Sequence, residues 1–178
     1  MRSGGGKQKG NAFERTISVK LSKWLTENIM DNAIWRTDTS GGRSTTNIKR
    51  NNINEVVKDN IGDLKQVAGI DKFPDLDLFF ITFFVELKIG YGDAFTFTLP
   101  LNKTLREIID KCIEQSKIVS KDFCLIVKPD RRKEMLITQK FININFENMI
   151  TFKYNNRTFF VYLLDDIIKF KFKDLIGG

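Results

Sequence analysis

The sequence predicts an α/β domain with a mixed central β-sheet flanked by helices. Three observations predict it. Two segments, one beginning near residue 11 and one near residue 102, repeat apolar residues at helical spacing. Short apolar runs bounded by turn residues lie between and after them, as strands buried on both faces do. The order is helix, strand, strand, helix, strand, then further strands, with no internal repeat and no linker, so one domain is expected over residues 1–178.

The N-terminal MRSGGGKQKG is rich in Gly and Lys and predicts a flexible basic arm over residues 1–10. It lacks the apolar centre of a signal peptide. Asn11 reads as a helix N-cap, with Glu14 three residues later completing a capping box. Phe13, Ile17, Leu21, Trp24 and Leu25 then form one apolar stripe, and residues 28–32 end the helix. After Ile34, Trp35 and Arg36, residues 37–46 combine hydroxyls, glycines and arginine without apolar period and read as a loop. Residues 47–60 are polar, with a short helix possible around Ile53, Val56 and Val57.

Residues 62–67 alternate as a strand does, and residues 69–75, with Pro74, read as a turn. Residues 78–88 are almost continuously apolar and predict a central strand, antiparallel to the one before. Residues 102–121 give a second helix, with Leu105, Ile108, Ile109, Cys112, Ile113 and Ser116 facing inward. Residues 123–127 and 135–138 are two more strands. Asn155, Asn156 and Arg157 separate residues 151–154 from 158–163 as a hairpin turn does. Residues 165–176 predict a last amphipathic helix. The core thus spans 11–138, and a C-terminal hairpin and helix span 139–178.

Composition narrows the chemistry. Lys and Arg outnumber Asp and Glu by 29 to 22, which favours an acidic partner, nucleic acid or an anionic membrane. No apolar run approaches the ~20 residues of a membrane span, so no membrane role and a cytoplasmic protein (host cytoplasm if viral) are expected. Cys112 and Cys124 form no CxxC pair and read as buried thiols. The chain contains no histidine. That removes Ser-His-Asp and Cys-His catalysis, imidazole zinc sites and a histidine general base. Hydrolysis must then rest on carboxylates, lysine and a hard cation such as Mg²⁺, for which Mn²⁺ substitutes.

Glu86-Leu87-Lys88 meets that requirement. Residues two apart on a strand share a face, so a carboxylate and an ammonium stand side by side within an apolar run. Burial of either is costly unless it is paired or bound to metal. Alone, the pattern also fits a structural ion pair at a strand end. Asp63, on the neighbouring strand after Gly62, adds a second carboxylate. Asp63, Glu86 and the Leu87 carbonyl are candidate metal ligands, and Lys88 would orient water or stabilise developing charge.

These residues resemble the PD-(D/E)XK nuclease superfamily, and more narrowly the phage and archaeal Holliday-junction resolvases. The resemblance runs through residues 10–15 (GNAFER), Trp35-Arg36, residues 40–43 (SGGR), Gly62-Asp63-Leu64, Val85-Glu86-Leu87-Lys88, and Glu114-Gln115 followed by residues 123–127. It covers about residues 7–138. It implies a restriction-endonuclease-like core (αβββαβ) with extra C-terminal strands, Mg²⁺-dependent cleavage of DNA, branched or duplex, and a homodimer. The matching position of Glu14 implies a catalytic glutamate, whereas the capping box gives it a purely structural role. A sequence-specific homing or restriction endonuclease of the same fold, or a silent DNA-binding module, fits the same residues.

The separation of Asp63 from Glu86 is long for this superfamily, and Asp75 and Asp77 are rival ligands, with Pro74-Asp75 spelling its first two letters. Both differ from Glu86 by an odd number, so on one regular strand they point to the opposite face. A bulge would restore them. For DNA, the backbone of Gly41 and Gly42, the hydroxyls of Ser40 and Ser44, and the charges of Arg36 and Arg43 suit phosphate oxygens. Gln115 reads as a solvent-facing polar residue, and Lys128, Arg131, Arg132 and Lys133 as a solvated turn.

Overall fold

A computed structural model describes residues 5–37, 61–67, 72–140, 142 and 149–176. Helix α1 spans Gly5–Leu25 and buries Phe13, Ile17, Leu21 and Leu25 along one stripe. It starts six residues earlier than Asn11, so residues 5–10 are helical rather than part of a loose arm, and Asn11 is an interior residue rather than a cap. Its last turns bury the small hydroxyls Ser18 and Ser22 beside the apolar stripe. Ser22 donates to the Ser18 carbonyl and accepts from the Ile34 amide at 2.9 Å. A side chain this short lets the first strand lie close against the helix.

Among the described residues seven strands form one sheet: β1 Ile34–Arg36, β2 Leu64–Gln66, β3 Phe83–Ile89, β4 Asp122–Lys128, β5 Met135–Thr138, β6 Ile150–Tyr154 and β7 Arg157–Leu163. Their order is β1-β2-β3-β4-β5-β7-β6. Among the described residues only β3 and β4 are parallel, paired from Phe83 opposite Asp122 to Ile89 opposite Lys128. A parallel pair needs a crossover, and helix α3, Lys103–Val119, supplies it. Asn102 caps that helix, its side chain accepting from the Thr104 amide. The β6–β7 hairpin turns through Asn155 and Asn156, both at positive φ, as a two-residue turn requires.

The apolar run of residues 78–88 is divided. Its first part belongs to helix α2, Pro74–Thr82, and only the remainder is β3. Pro74 sits in the first turn, where its missing N–H costs nothing, and Asp75 and Asp77 lie at the positive end of the helix dipole. An apolar run carries no period, so it does not distinguish a buried strand from a buried helix. The last predicted helix is also divided, into α4 Leu164–Ile167 and α5 Phe172–Ile176. The Trp24 indole donates to the Phe170 carbonyl at the break, and Phe172 enters a ring cluster with Trp24, Phe79 and Phe83.

Two cores lie on opposite faces of the sheet. One joins α1, α2, α4 and α5 to Phe83, Val85 and Leu87 of β3. The other joins α3 and the hairpin residues Phe152 and Phe159 to Phe84 of β3. Cys124 belongs to the first and Cys112 to the second, and both are free thiols. Among the described residues no helix is long and apolar enough to cross a membrane.

Candidate active site

The site lies where β2 meets β3. Gly62 has φ +96°, and a Cβ there would stand 2.7 Å from the Val85 carbonyl. Glycine is therefore required for this close approach. It lets the Asp63 amide donate to that same carbonyl at 2.7 Å. Leu64 then pairs with Val85. Asp63 turns inward and its Oδ2 accepts from the Leu87 amide at 2.7 Å. A short strand preceded by glycine thus delivers a carboxylate onto the middle of β3.

On β3, Glu86 is 2 % exposed. Lys88 donates from Nζ to Glu86 Oε1 at 2.7 Å and to the Leu87 carbonyl at 3.1 Å. Lys111, from α3, donates to the same Glu86 Oε1 at 2.7 Å. Burial alone would drive the Glu86 carboxyl up, but the two ammonium groups outweigh it and hold it below the ordinary value. Burial likewise opposes the charge on Lys88, and Glu86 and Asp63 overcome it and raise its pKa. Asp63 has the opposite balance: burial, then repulsion from Glu86, push its carboxyl up to about 7.

Two carboxylates and a main-chain carbonyl therefore converge around one lysine. Among the described residues no group of three or more acidic, cysteine or histidine side chains is placed to hold a metal ion. The donor set is oxygen only, which suits a hard divalent cation such as Mg²⁺. Burial and the charge of Glu86 both oppose ionisation of Asp63, and a cation there would reverse that.

Glu14 sits on α1 facing this cluster, and its charge is among those acting on Asp63. It is not a capping residue. It pairs with the Arg36 guanidinium, which also donates to Asn11 Oδ1 at 3.0 Å. Arg36, expected on DNA, thus places part of its guanidinium against Glu14 and Asn11 while its side chain remains 24 % exposed. Ser40, Gly41, Gly42, Arg43 and Ser44 lie outside the described residues, as does the short helix expected within 47–60.

The rivals Asp75 and Asp77 both have structural partners. Asp75 accepts from the Phe172 amide at 2.8 Å, and Asp77 from Gln66 Nε2 at 2.7 Å. Strand parity does not apply to them, since both are on α2. Gln115 is buried, not solvent-facing, and its Oε1 has no partner among the described residues. In the basic turn, Lys128 pairs with Glu134 and Arg132 with Asp93.

Sequence reasoning missed Lys111, and it read Asn11 as a cap rather than as a partner of Arg36. Lys111 borders the apolar stripe of α3, where a lysine ordinarily snorkels to solvent. Its signal was topological: the crossover between parallel strands brings that stripe over β3.

No curated protein and no solved structure matches the chain. A family model does, over residues 5–176, and its description is phage putative PDDEXK endonuclease. The match takes in α1, the site strands, the crossover helix and the C-terminal hairpin, and the mixed sheet agrees with a nuclease of this kind. The chain belongs to this phage PDDEXK endonuclease family.

Proposed function

We propose that the protein is a Mg²⁺-dependent endonuclease that hydrolyses phosphodiester bonds in DNA, is selective for branched DNA and acts as a homodimer. The observation that carries the hydrolytic reading is the convergence on Leu87. Asp63 accepts from its amide while Lys88 bridges its carbonyl and Glu86. Asp63, Glu86 and the Leu87 carbonyl would hold the cation. Bound there, a divalent cation supplies Lewis-acid stabilisation of phosphate charge and a more acidic water.

The chain's own residues supply the rest. Lys88, fixed by two acceptors, presents a positive charge at the place where negative charge develops on phosphorus-bound oxygens. Glu14 stands close enough to bias Asp63 and is kept there by Arg36. The Ser40–Ser44 segment, with Arg43, is the proposed phosphate contact. Branch selectivity and dimerisation rest on the resemblance to resolvases.

The experiment compares cleavage of a four-way junction with that of linear duplex in Mg²⁺, Mn²⁺ and EDTA. Cleavage of the junction alone supports the full reading, and cleavage of duplex at fixed sequence supports a restriction-type enzyme. Lys88→Ala should lose at least ~10²-fold in rate while still binding DNA. Wild-type turnover in that variant, or no cleavage of any DNA by the native protein, refutes the reading.

A further inference from the structure

We infer that Lys111 is a DNA-binding residue of the active site whose availability is controlled by the cation: Glu86 holds it in the metal-free protein and releases it to a phosphate when a divalent ion occupies the site. This rests on the metal-dependent reading above and assigns a role to a residue on a different element.

The geometry is one oxygen with two cations. Glu86 Oε1 lies 2.7 Å from the ammonium of Lys88 and 2.7 Å from that of Lys111. A divalent ion held by the Glu86 carboxylate would add a third positive charge beside the two ammonium groups, and the like charges would repel where screening by water is weak. One lysine must withdraw. The two are not equivalent. Lys88 has a second acceptor in the Leu87 carbonyl, faces Asp63 and has a side chain only 20 % exposed. Lys111 has Glu86 as its one hydrogen-bond acceptor among the described residues and is 37 % exposed. Lys111 is therefore the one displaced.

Where it goes follows from how it is anchored. Its neighbours on α3, Ile108, Ile109 and Cys112, are buried in the core, so the helix stays in place and only the side chain swings. A lysine freed beside a cation site, with its stem fixed and its head near solvent, meets whatever anion comes to that cation. For a nuclease that anion is the DNA backbone. Cation and DNA would then bind cooperatively, since each removes a competitor of the other.

The experiment uses Ca²⁺ as the probe, because it occupies hard oxygen sites as Mg²⁺ does. Calorimetry measures Ca²⁺ binding to the DNA-free protein. Fluorescence anisotropy measures binding of a labelled four-way junction and a labelled duplex, in EDTA and in Ca²⁺, over a range of salt. Lys111→Gln is expected to bind Ca²⁺ several-fold more tightly than the native chain. In EDTA it should bind DNA as the native protein does, because Lys111 is then held by Glu86. In Ca²⁺ it should bind DNA more weakly, with the slope of log K against log salt smaller by ~0.9. Lys111→Arg, which keeps the charge, should retain the native pattern.

An equal loss of DNA affinity with and without Ca²⁺ would make Lys111 an ordinary surface contact and overturn the inference. So would unchanged Ca²⁺ and DNA binding, which would make it a structural counter-ion. Glu86→Gln separates this from failure of the underlying reading. If it binds Ca²⁺ as the native protein does, the metal site itself is wrong. If it loses Ca²⁺ while Lys111→Gln changes nothing, only the role of Lys111 falls.

Discussion

The two faces of β3 have similar burial and opposite chemistry. Phe83, Val85 and Leu87 point to one side and join an uninterrupted apolar core with α1 and α2. Phe84, Glu86 and Lys88 point to the other, apolar at its start and ionic at its end. The strand is central, paired on both edges, so neither face gains charge by being peripheral. The difference teaches that the ionic half is not there for stability. Buried ion pairs seldom outperform apolar residues of similar size. The apolar face holds the strand in place, and the charged end is tolerated because Lys88 and Lys111 neutralise Glu86.

The apolar face gives the largest predicted effect. Phe83 is fully buried against Phe79 and Phe172. Phe83→Ala should cost ~3–5 kcal/mol in urea unfolding, through lost burial and the cavity left behind. A loss below ~1 kcal/mol would mean that this face does not anchor the strand.

The charged face should behave in the reverse way. Replacing both members of its pair, Glu86→Leu with Lys88→Met, should leave stability unchanged or raise it by up to ~3 kcal/mol, while abolishing cleavage. Lys111 reaches solvent once Glu86 is gone and leaves no stranded charge. Marked destabilisation of the double variant would show that the pair holds the fold.

Asp63 sharpens the contrast through pH. Its carboxyl titrates near 7 in the folded chain, well above the ordinary value of 3.8. The folded state therefore binds the extra proton between those two values. Stability contributed by that proton is present at low pH, falls as pH rises through this window and is fully lost above about 7. Asp63→Asn lacks the loss. In EDTA the two proteins should have nearly equal stability near pH 4 and diverge with rising pH, the variant ahead by up to ~4 kcal/mol at pH 8. A variant less stable at pH 8 would mean that the hydrogen bond from Leu87 outweighs burial of the charge.

The smallest effect concerns the rival aspartate. Asp77 holds Gln66 by one side-chain hydrogen bond. Asp77→Asn should cost less than ~1 kcal/mol and leave cleavage near the native rate, because an amide oxygen still accepts. If Asp77→Asn abolishes cleavage while Asp63→Asn remains active, the carboxylates have been assigned the wrong way round.

Much of this was legible in the residues. The absence of histidine leaves carboxylates and lysine as the groups for hydrolysis, and the two-residue spacing of Glu86 and Lys88 requires a shared face on any strand. The stripe of α1, the stripe of α3 and the Asn155-Asn156 turn follow from periodicity and turn chemistry. The boundary inside residues 74–89 was not legible, because continuous apolarity erases the period that separates helix from strand. Strand parity therefore says nothing of Asp75 and Asp77, since both are helical.

The sequence by itself determined the kinds of groups available: two carboxylates, a lysine on the face of Glu86, and no imidazole. It also determined that Gly62 precedes Asp63, so the backbone could approach β3. The tertiary structure decided which groups meet. Arg36 pairs with Glu14, Gln115 is buried, and Lys111 reaches Glu86 across 25 residues of chain. Local spacing governs neighbours on one element, but these meetings depend on how a helix crosses a sheet, and that is set by the packing of both cores together.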